Sequence, residues 1–280
     1  MKTFFKYSGG KSKEFKRIKS LVPVETKRVV EPFAGSCAVS FGLELPALVA
    51  DTRENVINAL NVVQDAVMFK QLQALVDNLK LETDIEKLKV HFYEQRDGKF
   101  GTKDPVEKAY RWIVIRQLVF SGIDRINIKT GKFNAPFGWY KNFACHLSEK
   151  HHKLMQSWNV ELGSFEQTLA KVKDGDWIFI DPPYLGRNST YDGVTETQLQ
   201  EMHEKLFEIL CKIKQPWLII HSDCEFYRKK YSSFCINEIA HKYSQNFKGR
   251  DSSDQKVKHL YISNYQISSL LYPNLVEEQS

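Results

Sequence analysis

The tetrapeptide Asp181-Pro182-Pro183-Tyr184 carries the densest chemistry in the chain. Trp177 to Ile180, just before it, are apolar, β-branched or aromatic, the pattern of a buried central strand. Two consecutive prolines then fix φ twice and remove two backbone donors, while their carbonyls stay available. Two readings are open. The corner is an ordinary strand end capped by an aspartate, or it is a rigid platform that shows a carboxylate, carbonyl acceptors and an aromatic face to a ligand.

Two glycine elements lie upstream. EPFAGSC, Glu31 to Cys37, follows a short apolar strand and opens a helix, which sets backbone N–H groups and a helix N-terminus beside a ligand. Asp51 comes 20 residues after Glu31, at the end of a second strand, ALVAD, where a carboxylate is placed to bind ribose hydroxyls. A loop with a single glycine is a poor G-x-G-x-x-G. That argues against NAD or FAD and for a nucleoside without a pyrophosphate, of which S-adenosyl-L-methionine is one. The second element, KYSGGK, Lys6 to Lys11, lacks the spacing of a phosphate-binding P-loop. It fits a site for a single carboxylate, or else a flexible basic segment.

The elements that must position these residues alternate at both ends of the chain. KRVVEPFAGSCAVSFGLE and ALVADTRENVINALNVVQD each read as strand, loop, helix. VELGSFEQTL, DWIFIDPPY, PWLIIHSD and HLYISNYQ supply further strands. Such alternation predicts a parallel α/β sheet. Residues 57–150 break it. They read as a mainly helical insert, with VEKAYRWIVIRQLVF as its clearest amphipathic helix and RINIKTGKFNAPFG as a β-hairpin turning near Thr130-Gly131. The organisation expected is a catalytic domain from 1–56 and 151–280, interrupted by the module 57–150.

At 280 residues and 42% hydrophobic composition the chain can bury a real core, yet its apolar runs are strand-sized and predict no membrane span. The first residues lack the apolar stretch of a secretory signal, so a cytoplasmic address is expected. The five cysteines are odd in number and form no C-x-x-C pair, which makes reduced thiols the default. CHLSEKHH, Cys145 to His152, has no structural zinc spacing, and no metal is expected. The net charge of +6 is uneven: Met1 to Val30 holds nine Lys/Arg against two Asp/Glu, and Lys99 to Lys141 nine against three. Solvated helix faces explain many such runs, but basic stretches interleaved with Tyr, Phe and Trp fit a nucleic-acid groove better.

In their order, KYSGGK, EPFAGSC, the Asp51 strand end and DPPY resemble the Dam-type (alpha-ordered) adenine-N6-specific DNA methyltransferases, over nearly the whole chain. FSGIDRINIKTGKFNAPFG resembles that family's base-contacting segment and hairpin. The resemblance implies a Rossmann-like methyltransferase sheet, S-adenosyl-L-methionine as cofactor and double-stranded DNA as substrate. A cognate restriction endonuclease as partner and an orphan enzyme are both open; a monomer is the expected state, and a prokaryote or phage the expected source. It assigns cofactor contacts to Tyr7, Lys11, Phe33, Gly35, Asp51, Ser164, Phe165 and Asp181, and catalysis to Asp181, Pro182 and Tyr184. It assigns DNA contacts to Lys6, Phe120, Ser121, Ile123, Arg125, Lys129, Lys132 and Pro136. The chain departs from the family pattern at Cys37, where a second glycine is usual, at Ser121, where Asn is common, and at His221, where a late motif often has Asn.

The chemistry implied answers what the proline corner is for. Adenine's exocyclic amine is a poor nucleophile because its lone pair is delocalised into the ring. Asp181 and the Pro182 carbonyl can each accept one N6–H bond and favour a more tetrahedral nitrogen, with little reorganisation because the prolines are rigid. Tyr184 offers a face for a base that has left the duplex. The competing readings are methylation of RNA adenine or of the cytosine N4 amine, and a nucleic-acid-binding relative that has lost catalysis.

Overall fold

The computed structural model describes residues 1–98, 103–123, 133–185, 194–242 and 256–267. Helix α1 (Phe15–Ser20) leads to strand β1 (Arg28–Glu31), helix α2 (Ala38–Leu43) and strand β2 (Ala47–Asp51). Helices α3 (Glu54–Gln64), α4 (Ala66–Lys80), α5 (Ile85–Asp97) and α6 (Pro105–Leu118) follow. The chain returns through α7 (Glu149–Met155), β3 (Trp158–Leu162), α8 (Phe165–Leu169) and β4 (Asp176–Ile180). It ends in α9 (Glu196–Leu210), β5 (Trp217–Ser222), α10 (Glu225–Lys230), β6 (Cys235–Lys242) and β7 (Lys256–Ser263).

The strands form one sheet in the order β3-β2-β1-β4-β5-β7-β6. Pairing is parallel from β3 to β5, and β7 runs antiparallel to both β5 and β6. The mostly parallel sheet is the one the alternation predicts, a methyltransferase-type α/β fold. The terminal antiparallel pair, and β6 as a strand, were not foreseen. Strand order reverses between β1 and β4, so a crevice opens at their carboxyl ends, where ligands bind in open α/β sheets. Arg28 and Asp176, opposite one another in the β1–β4 register, lock these two strands together. The Arg28 guanidinium donates to both Asp176 oxygens, at 2.7 and 2.6 Å, in the two-pronged geometry that fixes position as well as energy.

Asp65, Asp84 and Asp104 cap α4, α5 and α6, each accepting from two first-turn amides, and Pro105 opens α6 where its missing N–H costs nothing. Leu72, Val76, Leu88, Phe92 and Ile113 from these helices join Val29 and Val49 of the sheet in one continuous core. The N-terminal segment is strapped across the end of α6. Gln117 donates to the Phe4 carbonyl at 2.9 Å, Arg116 to the Lys6 carbonyl at 3.0 Å, and Lys6 back to the Gln117 carbonyl at 2.9 Å. Cys145 adds a thiol contact to the Phe4 carbonyl, and Phe4 and Phe5 are buried. Beyond α6, Val119 bridges Phe137 antiparallel, and the Phe120 N–H donates to the Pro136 carbonyl at 2.9 Å. The tip of the predicted hairpin, near Thr130-Gly131, lies outside the described residues. Among the described residues, no helix is long and apolar enough to cross a membrane.

Candidate active site

Strand β1 delivers the glycine loop. Its last residue, Glu31, is buried and accepts from the Ser40 N–H at 2.6 Å and the Ser40 hydroxyl at 2.5 Å, which ties the first turn of α2 to the strand. Burial, aided by the charge of Asp181, lifts the Glu31 carboxyl to about 7 against these bonds. Gly35 and Cys37 both adopt left-handed backbone, at φ 48° and 52°. Cys37 therefore takes the conformation that glycine enters freely, and the departure at this position leaves the turn intact. A Cβ on Gly35 would meet the Tyr7 ring at 3.0 Å, so that ring lies directly on the loop. Asp51, at the end of β2, braces the same loop: one oxygen accepts from the Gly35 N–H and the other from the Arg53 N–H, both at 2.9 Å.

Strand β4 delivers the proline corner. The Asp181 Oδ2 accepts from the Lys11 ammonium at 2.5 Å, and Lys11 also donates to the Gly9 carbonyl at 2.9 Å. Burial raises the Asp181 carboxyl, while Lys11 draws it the other way. The Tyr184 ring lies 5.4 Å from the Lys11 ammonium, 4.6 Å from the His221 ring and edge-on to His259 at 5.6 Å. Behind Lys11, Glu14 accepts from the Tyr261 hydroxyl at 2.5 Å and from His259 at 3.1 Å. Burial alone would raise the Glu14 carboxyl, but His259, Lys11 and Tyr261 together hold it at about 2.

Tyr7, Lys11, Phe33, Gly35, Asp51, Asp181 and Tyr184 thus gather around the switch point of the sheet. Ser164 and Phe165 join them at the next strand end. Ser164 caps α8 in a reciprocal box with Gln167, and the Phe165 ring stacks on Phe33 at 5.4 Å. Pro182 is buried. The donor set suits an adenosyl amino acid: an aromatic pair, a carboxylate with spare lone pairs at a strand end, an ammonium, and a glycine loop that a Cβ would crowd.

The residues assigned to DNA form a second group. Phe120 and Trp139 are exposed, Ser121 takes φ 52°, Ile123 packs partly on the core, and Pro136 is exposed beside Phe120. Lys6 is exposed but engaged, on the Gln117 carbonyl and 3.9 Å above the Tyr140 ring. Arg116, fully buried, connects the two groups: it donates to the Lys6 and Gly122 carbonyls, each at 3.0 Å, and its guanidinium lies 5.6 Å from the centroid of the Tyr7 ring. Arg125, Lys129 and Lys132 lie outside the described residues. Cys145 and His151 of the CHLSEKHH stretch bind the carbonyls of Phe4 and Lys2.

Sequence reasoning did not find Glu14, His203, Tyr227, His259 and Tyr261 as neighbours of the corner. Glu14 and His259 stand 245 positions apart, and nothing in local spacing brings them together. A signal existed only for His221, at a position where the family pattern carries another hydrogen-bonding side chain.

Residues 7–245 match the family model of the D12 class N6 adenine-specific DNA methyltransferases. The chain is 30% identical over 276 residues to the Type II methyltransferase M.CviBI of Paramecium bursaria Chlorella virus NC1A, covering 95% of this chain and all of that one. It is 31% identical over 251 residues to the Retron Ec67 DNA adenine methylase of Escherichia coli, with 87% and 85% covered. To the DNA adenine methylase of Escherichia coli strain K12 it is 26% identical over 239 residues, with 82% and 84% covered. With a family match across most of its length and the methyltransferase sheet beneath it, the chain belongs to the D12 class of N6 adenine-specific DNA methyltransferases.

Proposed function

We propose that the enzyme binds S-adenosyl-L-methionine at the β1–β4 switch point and methylates the N6 amine of an adenine flipped out of duplex DNA into the Asp181–Tyr184 corner. The observation that carries this reading is the convergence of Asp181, Lys11, Tyr184 and the Gly35 loop braced by Asp51. When bound, the cofactor supplies a methyl group made electrophilic by its sulfonium.

The protein supplies the rest. Asp51 has about four lone-pair sites; the Gly35, Arg53 and Thr52 N–H groups draw on them, and the remaining capacity is for the ribose hydroxyls. Lys11 has three N–H donors, of which Gly9 and Asp181 take two, so one is left for a carboxylate. Asp181 Oδ1 and the Pro182 carbonyl, which have no partner among the described residues, accept the two N6–H bonds. Drawing both hydrogens to fixed acceptors turns the nitrogen lone pair out of conjugation, and the acceptors need not reorganise because the prolines hold them. Tyr184 receives the base on its ring.

Residues 57–150 serve in this reading as the target-recognition module, with Phe120 and Ile123 as apolar wedges, Ser121, Pro136 and Arg125 at the bases, and Lys6, Lys129 and Lys132 on phosphates. The Type II names of relatives support a cognate restriction endonuclease. The state proposed is a monomer, encoded by a prokaryote or a phage and acting on DNA in the cytoplasm. Transfer of tritiated methyl to unmethylated duplex DNA and to RNA, followed by nucleoside analysis, tests the reading. N6-methyladenine in DNA is expected; label in N4-methylcytosine or in RNA alone would overturn it.

A further inference from the structure

Tyr184 is the part of the corner that the prolines do not fix, and two buried histidines grip the backbone on either side of it. His203, from α9, donates from Nε2 to the Pro183 carbonyl at 2.8 Å. His221, from β5, accepts at Nε2 from the Leu185 N–H at 2.9 Å. One bond precedes Tyr184 and the other follows it. Both rings are fully buried.

Each grip works in one protonation state, and the neighbours impose that state. A carbonyl only accepts, so His203 carries its proton on Nε2, and Nδ1 must accept. It does so from the Tyr227 hydroxyl at 2.7 Å. An N–H only donates, so His221 Nε2 is bare and the proton sits on Nδ1, which donates to the Ser222 carbonyl at 2.7 Å. Burial lowers the His203 imidazole to about 4 against the pull of the Pro183 carbonyl, so it is neutral in ordinary buffers. Tyr227 joins the two grips. Its hydroxyl sets the tautomer of one histidine, and its ring lies face to face with the other, at 4.0 Å and 21°. The two histidine rings themselves meet edge-on at 5.3 Å.

We propose that His203, Tyr227 and His221 form a clasp that positions Tyr184, and hence the target base, for the methyl-transfer step. This rests on the reading of Asp181–Tyr184 as the catalytic corner. The three are positioning residues, since the clasp holds the backbone and not the substrate. A ring displaced by an ångström costs on the order of a hundredfold in rate. The loss belongs in kcat, because the described contacts of the clasp go to the corner and not to the Gly35 loop or Asp51. The clasp also accounts for His221 at a position where the family pattern often has Asn: either side chain offers an acceptor for the Leu185 N–H.

The test is steady-state kinetics on unmethylated phage lambda DNA with tritiated S-adenosyl-L-methionine, with thermal unfolding alongside. His203→Leu removes the donor and should lower kcat by about tenfold to a hundredfold, with KM for the cofactor within about twofold. His203→Gln restores a donor at a similar reach and should recover most of that loss. Tyr227→Phe removes only the hydroxyl, keeps the stacked ring, and should lower kcat several-fold even where His203→Leu does not fold. An unchanged kcat in Tyr227→Phe, or His203→Gln as impaired as a folded His203→Leu, overturns the clasp. So does a loss confined to cofactor KM. Asp181→Ala in the same assay separates the two ideas: if it is inactive while the clasp variants are normal, the clasp alone fails, and if it is active, the catalytic reading fails.

Discussion

Asp51→Asn should weaken cofactor binding and loosen the loop at once, by amounts that can be measured separately. Asp51 is 9% exposed, and each of its oxygens accepts one backbone N–H, from Gly35 and from Arg53. A hydrogen bond to a buried charged group contributes about 1.5–3 kcal/mol. Asparagine keeps one acceptor and turns an NH₂ toward the other amide, so one such bond is lost and the protein should be less stable by about that amount. Against a total of about 5–15 kcal/mol the fold survives. Alanine would lose both bonds, about 3–6 kcal/mol, and would confuse unfolding with lost affinity. The ribose loses its charged acceptor as well, which predicts cofactor binding roughly 10- to 150-fold weaker. Urea unfolding reads the first effect and calorimetry with S-adenosyl-L-methionine the second. A folded variant whose affinity lies within twofold of wild type would reduce Asp51 to a loop brace. An unchanged unfolding midpoint would refute the brace.

Asp181→Ala should cut kcat by about 10²–10³ with the fold retained, and Tyr184→Ala should cost less; near-normal transfer by Asp181→Ala would refute the acceptor role. The folded pKa of Glu14 is near 2 against a reference of 4.5, so its contribution is fully present above pH 4.5 and is lost as pH falls toward 2. The shift is worth about 3 kcal/mol at neutral pH, so Glu14→Gln should be less stable at pH 7, and a stability gap that fails to narrow between pH 7 and pH 3 would count against the network. Arg125→Ala should relax sequence preference, whereas Lys129→Ala or Lys132→Ala should weaken binding to all sequences and flatten its salt dependence. Mapping methylated sites at one salt concentration decides between them, and identical profiles with lower yield would reject base reading by Arg125.

What the sequence made legible follows the reach of its patterns. The run into Asp181 reads as a strand because Trp177, Ile178, Phe179 and Ile180 are buried on both faces of a central strand, where alternation disappears. Asp51 could be placed because strand, turn and helix sit within a few residues of one another. The helical middle was legible because α3 to α6 repeat their apolar positions at helical spacing. The side chains behind the corner were not. Glu14, His203 and His259 read as isolated polar residues, and only folding brings Glu14 to His259, and His203 and His221 to the Pro183 carbonyl and the Leu185 N–H. The antiparallel turn of β7 was likewise hidden, since a strand's composition does not record its direction. Left-handed backbone at Cys37 was marked only by the glycine usual in the family at that position, because the residue type itself does not announce the conformation.

The strap across α6 sets an order of events during synthesis. Phe4 and Lys6 leave the ribosome well before the groups that hold their carbonyls, which lie on Arg116 and Gln117, 110 and 113 positions later, and on Cys145, 141 positions later. At about 5–20 residues per second, Phe4 and Phe5 wait roughly 7–28 s before the last of these partners exists. During that interval two large aromatic side chains, later buried, face water or a chaperone. Nor can β1 pair with β4 before the helical middle is made. A mutation that slows folding of α6 should therefore show first as aggregation through the N-terminal segment, with the activity of the surviving molecules intact.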